Sequence, residues 1–143
     1  MASKKSVMVS SFRAQAKTRA ALADIRSGNV ATGRAELAAA LHLALDGQER
    51  SGVAVVVEGL AAAALWTDGG RASAERAATL LGAGHSIRGA FDHSGLDAPA
   101  ARDAARQTLG DADFEAAYQR GRDLCYDDAL TLAEDVARSS ASG

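Results

Sequence analysis

With 143 residues, 48% of them hydrophobic, the chain has room for one domain with a real core and not for two. Alanine supplies about a quarter of it, aromatics only 4%, and there is one proline, a mixture that favours close-packed helices and excludes a ligand cage lined by rings. The formal charge of −2 is unevenly laid out: residues 1–20 carry Lys4, Lys5, Arg13, Lys17 and Arg19 and no acid, so the start is basic and the body acidic.

No interleaving of aromatic and basic residues accompanies that basic start, which reads as a solvated tail and argues against direct nucleic-acid binding. The lone Cys125 cannot close an internal disulfide and fits a buried structural thiol in a reducing, cytoplasmic compartment. Lys4 and Lys5 are not followed by the apolar core of a secretory signal. The longest apolar stretch falls short of the roughly 18 residues of a membrane span.

In chain order, residues 1–10 read as a flexible segment, and residues 139–143 as a disordered tail. Between them lies a single domain over 11–138. Ser10 or Ser11 caps a first helix running to about residue 27, with Phe12, Ala16, Ala20, Ala23, Leu22 and Ile25 inward. A second helix covers about 31–46, its stripe made of Ala35, Leu37, Ala38, Leu41, Ala44 and Leu45, and Gly47 stops it. Residues 52–67 form a nearly all-apolar third helix, interrupted only by Glu58 and Gly59, which needs cover on most of its circumference. The valine run at its start also suits a short buried strand, but length decides for helix. After the turn Asp68 to Arg71, a fourth helix runs from about 73 toward 91, with Ala77, Leu80, Leu81, Ile87 and Phe91 on one face. Gly82, Gly84 and Gly89 weaken its middle, each by about 1 kcal/mol against Ala, unless a neighbour packs there.

Residues 93–98 form the one substantial linker, and Pro99 sits in the first turn of a fifth helix that ends at Gly110. Asp111 caps a sixth helix to about residue 122, with Phe114, Ala117, Tyr118 and Gly121 inward. A seventh, from Asp127 or Asp128 to 138, carries Leu130, Leu132, Ala133 and Val136. The two aspartates read as a negatively charged helix start. Superposing Gly28 on Gly70 brings Arg34 and Ala35 onto Arg76 and Ala77, and Leu45 onto Ile87, a period of 42 residues in the range of helical-pair repeats. The fold expected is all-α: antiparallel helix pairs stacked as a short tetratricopeptide-like array of about seven helices, its C-terminal helices capping the stack.

Catalytic patterns are sparse. His42 lies near a Leu and Ala stripe; His85 and His93 are two helical turns apart, too far to chelate one metal alone. Asp92 and His93 are adjacent and so do not face each other on a helix. There is no GxxxxGK[ST] phosphate loop, and the glycines around 82–84 lack the strand context of a dinucleotide site. No catalytic, cofactor or metal residues are expected.

Three segments carry a resemblance: Glu58, Gly59, Leu60 and Ala61; then Glu75, Arg76, Ala77, Ala78, Leu80, Leu81, Gly82 and Ala83; then Leu109, Gly110, Phe114, Ala117, Tyr118, Gly121, Arg122, Asp128 and Ala129. In this order they resemble the C-terminal helical-repeat region of actinobacterial ATPase-type transcriptional regulators of the LuxR and antibiotic-regulatory-protein groups, over about residues 28–134. The chain departs from that pattern in a longer turn after Trp66, in Gly84 where alanine is usual, and in Cys125. Neither the ATPase nor the DNA-binding module of such regulators is in this sequence. The resemblance implies a non-catalytic protein-interaction or regulatory module. The alternative is an effector sensor holding a small molecule in a groove between helices. Phe12, Trp66, Arg76, His85 and Tyr118 are the candidate interaction residues. A homodimer that covers Val7, Met8, Val9 and Phe12 is the expected assembly.

Overall fold

A computed structural model describes residues 4–47, 50–89 and 97–142, with side chains described for 13–47, 50–89 and 98–139. Its elements are α1 (Lys4–Arg26), α2 (Val30–Asp46), α3 (Arg50–Thr67), α4 (Arg71–Arg88), α5 (Asp97–Leu109), α6 (Asp111–Arg122) and α7 (Tyr126–Ser142). The fold is all-α, and no strand occurs among the described residues.

Helix ends follow the local chemistry. Gly89 and Gly110 take φ +93° and +84°, left-handed conformations that close α4 and α5 without the penalty a side chain would bring. Gly89 therefore ends α4 rather than weakening its middle. Gly110 also accepts the Phe114 N–H at 2.9 Å, so it opens α6 where Asp111 was expected to cap, and Asp111 becomes the first helical residue. Two outer boundaries also differ from the sequence reading. Helix α1 begins at Lys4, not at a cap on Ser10 or Ser11, and α7 continues to Ser142 through the segment read as a tail. Helix α5 takes in Asp97 and Ala98, and the expected linker at 93–96, with Phe91, Asp92 and His93, lies outside the described residues.

The helices form two layers. One holds α1, α3 and α5; the other holds α2, α7, α4 and α6. Helices α1, α3 and α5 each pack on the next helix, and α2, α4 and α6 open at Val30, Arg71 and Asp111, about 40 residues apart as in helical-pair repeats. The repeat holds for elements but not for residues. Gly28 has φ +97° whereas Gly70 has −74°, and Ala35 is exposed where Ala77 is buried. Helix α7 does not end the stack as a cap. It lies on α3 between α2 and α4.

Helix α3 packs on α1, α2, α4, α5 and α7, which answers its need for cover on all sides. By length and composition its 18 residues pass as a membrane span, longer than the sequence reading allowed, and it is the core helix here. Small residues set the spacing around it. A Cβ on Gly59 would meet the Thr18 methyl at 2.5 Å, so α1 and α3 cross in contact there. The buried stripe of α1 is Ala14, Thr18, Ala21, Leu22 and Ile25, while Ala16, Ala20 and Ala23 are exposed, against expectation. Thr18 can sit in that stripe because its hydroxyl donates to the Ala14 carbonyl at 2.7 Å. In α2 the buried positions are Gly33, Leu37, Ala40, Leu41 and Ala44.

The tightest joint is between α4 and α6. A Cβ on Gly82 would collide with the Tyr118 carbonyl oxygen and Arg122 N, and one on Gly121 with the Thr79 carbonyl oxygen and Ala83 N. The two backbones thus touch through reciprocal glycines. Ser86 Oγ donating to the Leu124 carbonyl at 2.7 Å, and an Arg71–Asp113 ion pair, fasten the two ends of the joint.

Candidate functional site

At this joint α3, α4, α5 and α6 bring polar side chains together at the margin of the apolar core. Glu58 faces α4 from the middle of α3, where it is only 5% exposed. A carboxylate so covered needs a cation, and Arg88, one helical turn past Gly84, supplies it: the guanidinium donates to Glu58 Oε2 at 2.9 Å and approaches Oε1 at 2.7 Å. Gly84 makes room, since a Cβ there would press on Glu58 Cγ at 3.2 Å. Gly84 is therefore the residue over which the Glu58 side chain lies.

His85 and Tyr118, both singled out in the sequence, are brought together. Tyr118 Oη lies 2.6 Å from His85 Nδ1, with ring centroids 5.9 Å apart in an edge-to-face arrangement. Tyr118 also stacks on Phe114 at 5.7 Å, and the Arg106 guanidinium lies over the Phe114 ring at 4.5 Å while pairing with Asp111 and Glu115. Tyr118 is half-buried and touches both the main core and the smaller cluster of Ala74, Ala78, Ala105, Leu109, Phe114 and Ala117.

The electrostatics follow from burial and from arginines. Burial, and then the charges of Arg122 and Arg88, hold His85 below the ordinary histidine range, so the ring is kept neutral. Burial raises Tyr118, against the opposing pull of Arg122 and Arg102. A neutral imidazole, a protonated phenol and arginines around them can offer hydrogen bonds to a polar or anionic group.

The other candidates lie elsewhere. Trp66 is half-buried at the end of α3, with the Arg26 guanidinium 3.9 Å above its ring, a packing contact between α1 and α3. Arg76 is exposed on α4, near enough to help hold Asp68 low, though the Gly70 N–H on that carboxylate is the larger cause. Phe12 belongs to α1, but its side chain lies outside those described. His42 is exposed on α2. Cys125 is exposed too, contrary to the buried thiol expected: it occupies the turn before α7, where its carbonyl accepts the Ala129 N–H at 2.9 Å and its side chain faces out. Among the described residues no group of three His, Cys, Asp or Glu side chains could hold a metal ion.

The Glu58–Arg88 pair was missed in the sequence, although a signal was there: one acid in a helix that must be covered all round requires a cation from a neighbour. The positioning role of Ser86 carries no such signal. In comparisons with known proteins, no family model, curated protein or solved structure matches the chain.

Proposed function

We propose that this chain is a non-catalytic, cytoplasmic regulatory module that binds a protein partner, or a second copy of itself, through the faces of its helical array. The resemblance to the repeat region of ATPase-type transcriptional regulators supplies the regulatory context. The observation that carries the reading is the stacking of consecutive helix pairs with α3 at the centre, tightened by the Gly82–Gly121 joint. Stacked pairs of this kind present fixed, extended faces, which is how repeat arrays recognise other proteins. Light scattering tests the homodimer and affinity capture tests the partner. A monomer that recovers no partner overturns the reading. A Phe12→Glu variant of unchanged mass removes the N-terminal helix from the dimer contact.

The half-buried cluster of Glu58, His85, Arg88 and Tyr118 favours a second reading, a sensor for a small polar or anionic effector. A ligand present at 100 times its Kd would stabilise the fold by about 2.7 kcal/mol. Thermal shifts with small carboxylates and phosphates, absent in a Tyr118→Phe variant, would support it; no shift with any of them overturns it.

A further inference from the structure

His85 and Tyr118 leave one hydrogen-bond donor unused. Tyr118 Oη lies 2.6 Å from His85 Nδ1. With the phenol donating to that nitrogen, the neutral ring carries its proton on Nε2. Among the described residues Nε2 has no hydrogen-bond partner, and it is not sealed from solvent. The joint between α4 and α6 brings Arg122 beside it. Arg122 N lies against Gly82, three residues before His85, and Arg122 follows Tyr118 by one turn on the same side of α6. Its neighbours are committed: Arg88 holds both oxygens of Glu58, and Arg106 pairs with Asp111 and Glu115. Arg122 is exposed and, among the described residues, makes no hydrogen bond or ion pair. The two acids that act on Tyr118, Glu58 and Glu115, are thus already neutralised, and Arg122 adds a positive charge with no acid to answer it.

We propose that His85 Nε2 and the Arg122 guanidinium form a binding site for the phosphate group of a small effector. The inference deepens the effector-sensing reading and rests on it. A phosphate carries a charge of about −1.5 to −2 at pH 7, which answers the positive surplus more fully than a single carboxylate does, and donors from two helices reach separate oxygens of one tetrahedral group. The charges that bear on the pair are Arg88 of α4 and Arg122 of α6 on His85, and Arg122, Arg102 of α5, Glu58 of α3 and Glu115 of α6 on Tyr118; no described charge of α7 is among them. A dianion set beside these cations favours the imidazolium form of His85. Binding then takes up a proton, and by reciprocity it tightens as pH falls. The contact with Tyr118 survives by reversing, Nδ1–H donating to Oη.

The test follows thermal stability and the histidine NMR resonances of the full chain in inorganic phosphate, sulfate, acetate and chloride at equal ionic strength. Phosphate and sulfate should stabilise wild type more than acetate or chloride do, and should raise the titration midpoint of the His85 ring, identified by its loss in His85→Gln. Sulfate, which keeps its double charge throughout, should bind more tightly as pH falls toward the histidine range. Arg122→Gln, at an exposed position, keeps the fold; it should weaken phosphate binding about tenfold or more and abolish the change in midpoint. Arg120→Gln, exposed on another side of α6, should bind as wild type does. Glycerol phosphate binding more tightly than inorganic phosphate would assign the group to a phosphomonoester, and the reverse order to the free ion. Phosphate binding that survives Arg122→Gln, an equal loss in Arg120→Gln, or a preference for acetate overturns this site and leaves the effector-sensing reading standing. A wild type that responds to none of these ions and to no other small anion overturns both.

Discussion

His85 is half-buried, with the charges of Arg122 and Arg88 nearby, and its pH behaviour follows from that burial first and from those charges second. In an unfolded chain the ring takes a proton near pH 6.5, while in the fold it does so only at lower pH. Protonation therefore favours the unfolded state as pH falls: the contribution of neutral His85 is complete above the unfolded value and is lost progressively below it. The urea midpoint of wild type should fall between about pH 7 and pH 5, and His85→Gln should flatten that part of the profile. An unchanged profile in the variant would show that His85 is not the group responsible. Glu58 gives a second prediction at this scale. Removing one partner of a covered ion pair strands the other, so Glu58→Ala should cost about 3 kcal/mol. Arg88, with its side chain 16% exposed, should cost somewhat less. The double variant should cost less than the sum, because the stranded charge is gone. Additive costs in chemical denaturation would mean that the pair is not coupled.

Among the elements, the α4–α6 joint depends most on single atoms. Alanine at Gly82 or Gly121 places a methyl group against backbone that cannot swing aside, so each substitution should cost about 3 kcal/mol or more. Gly69 has open space around it and no left-handed backbone, and Gly69→Ala should change stability by less than about 0.5 kcal/mol. Thermal denaturation of the three variants compares them directly; equal losses would deny the joint its role. The inward face of α6 was legible in the sequence because Phe114 and Tyr118 are bulky enough to mark it, and Ala117 and Gly121 share their side. The face of α1 was legible only at Leu22 and Ile25, which are buried as expected. Alanine recurs all around that helix, so its position carries little information, and the residue that fixes the rotation is Thr18, a polar side chain satisfied within its own turn. Likewise, nothing in the composition of α7 says that it returns to α2: its stripe would fit a terminal cap as well as an interior slot.

At the scale of the molecule, the decisive feature was readable early, since a helix as apolar as α3 has to lie at the centre. What surrounds it was only partly readable, because helix-pair spacing fixes the order of elements while alanine-rich interfaces leave the contacts between them undetermined. The site divides in the same way: His85 and Tyr118 stood out as residue types, but their meeting depends on glycines 82 and 121, which bring two backbones together and which the sequence presents only as weak points. Because α3 touches five other helices, loss of its packing should not stay local. Leu60→Ala in α3 should cost about 2–5 kcal/mol and lower the stability of the whole array. Trp66 provides an independent reporter, lying at the end of α3 beneath Arg26 and therefore sensing the contact between the first two pairs. Its fluorescence and the helical circular dichroism should follow one denaturation curve in wild type and in Leu60→Ala alike. Fluorescence that changes ahead of helix loss would mean that α1 and α2 part from α3 before the remainder unfolds, and the array would then be two cooperative units joined at Gly59 and Thr18 rather than one.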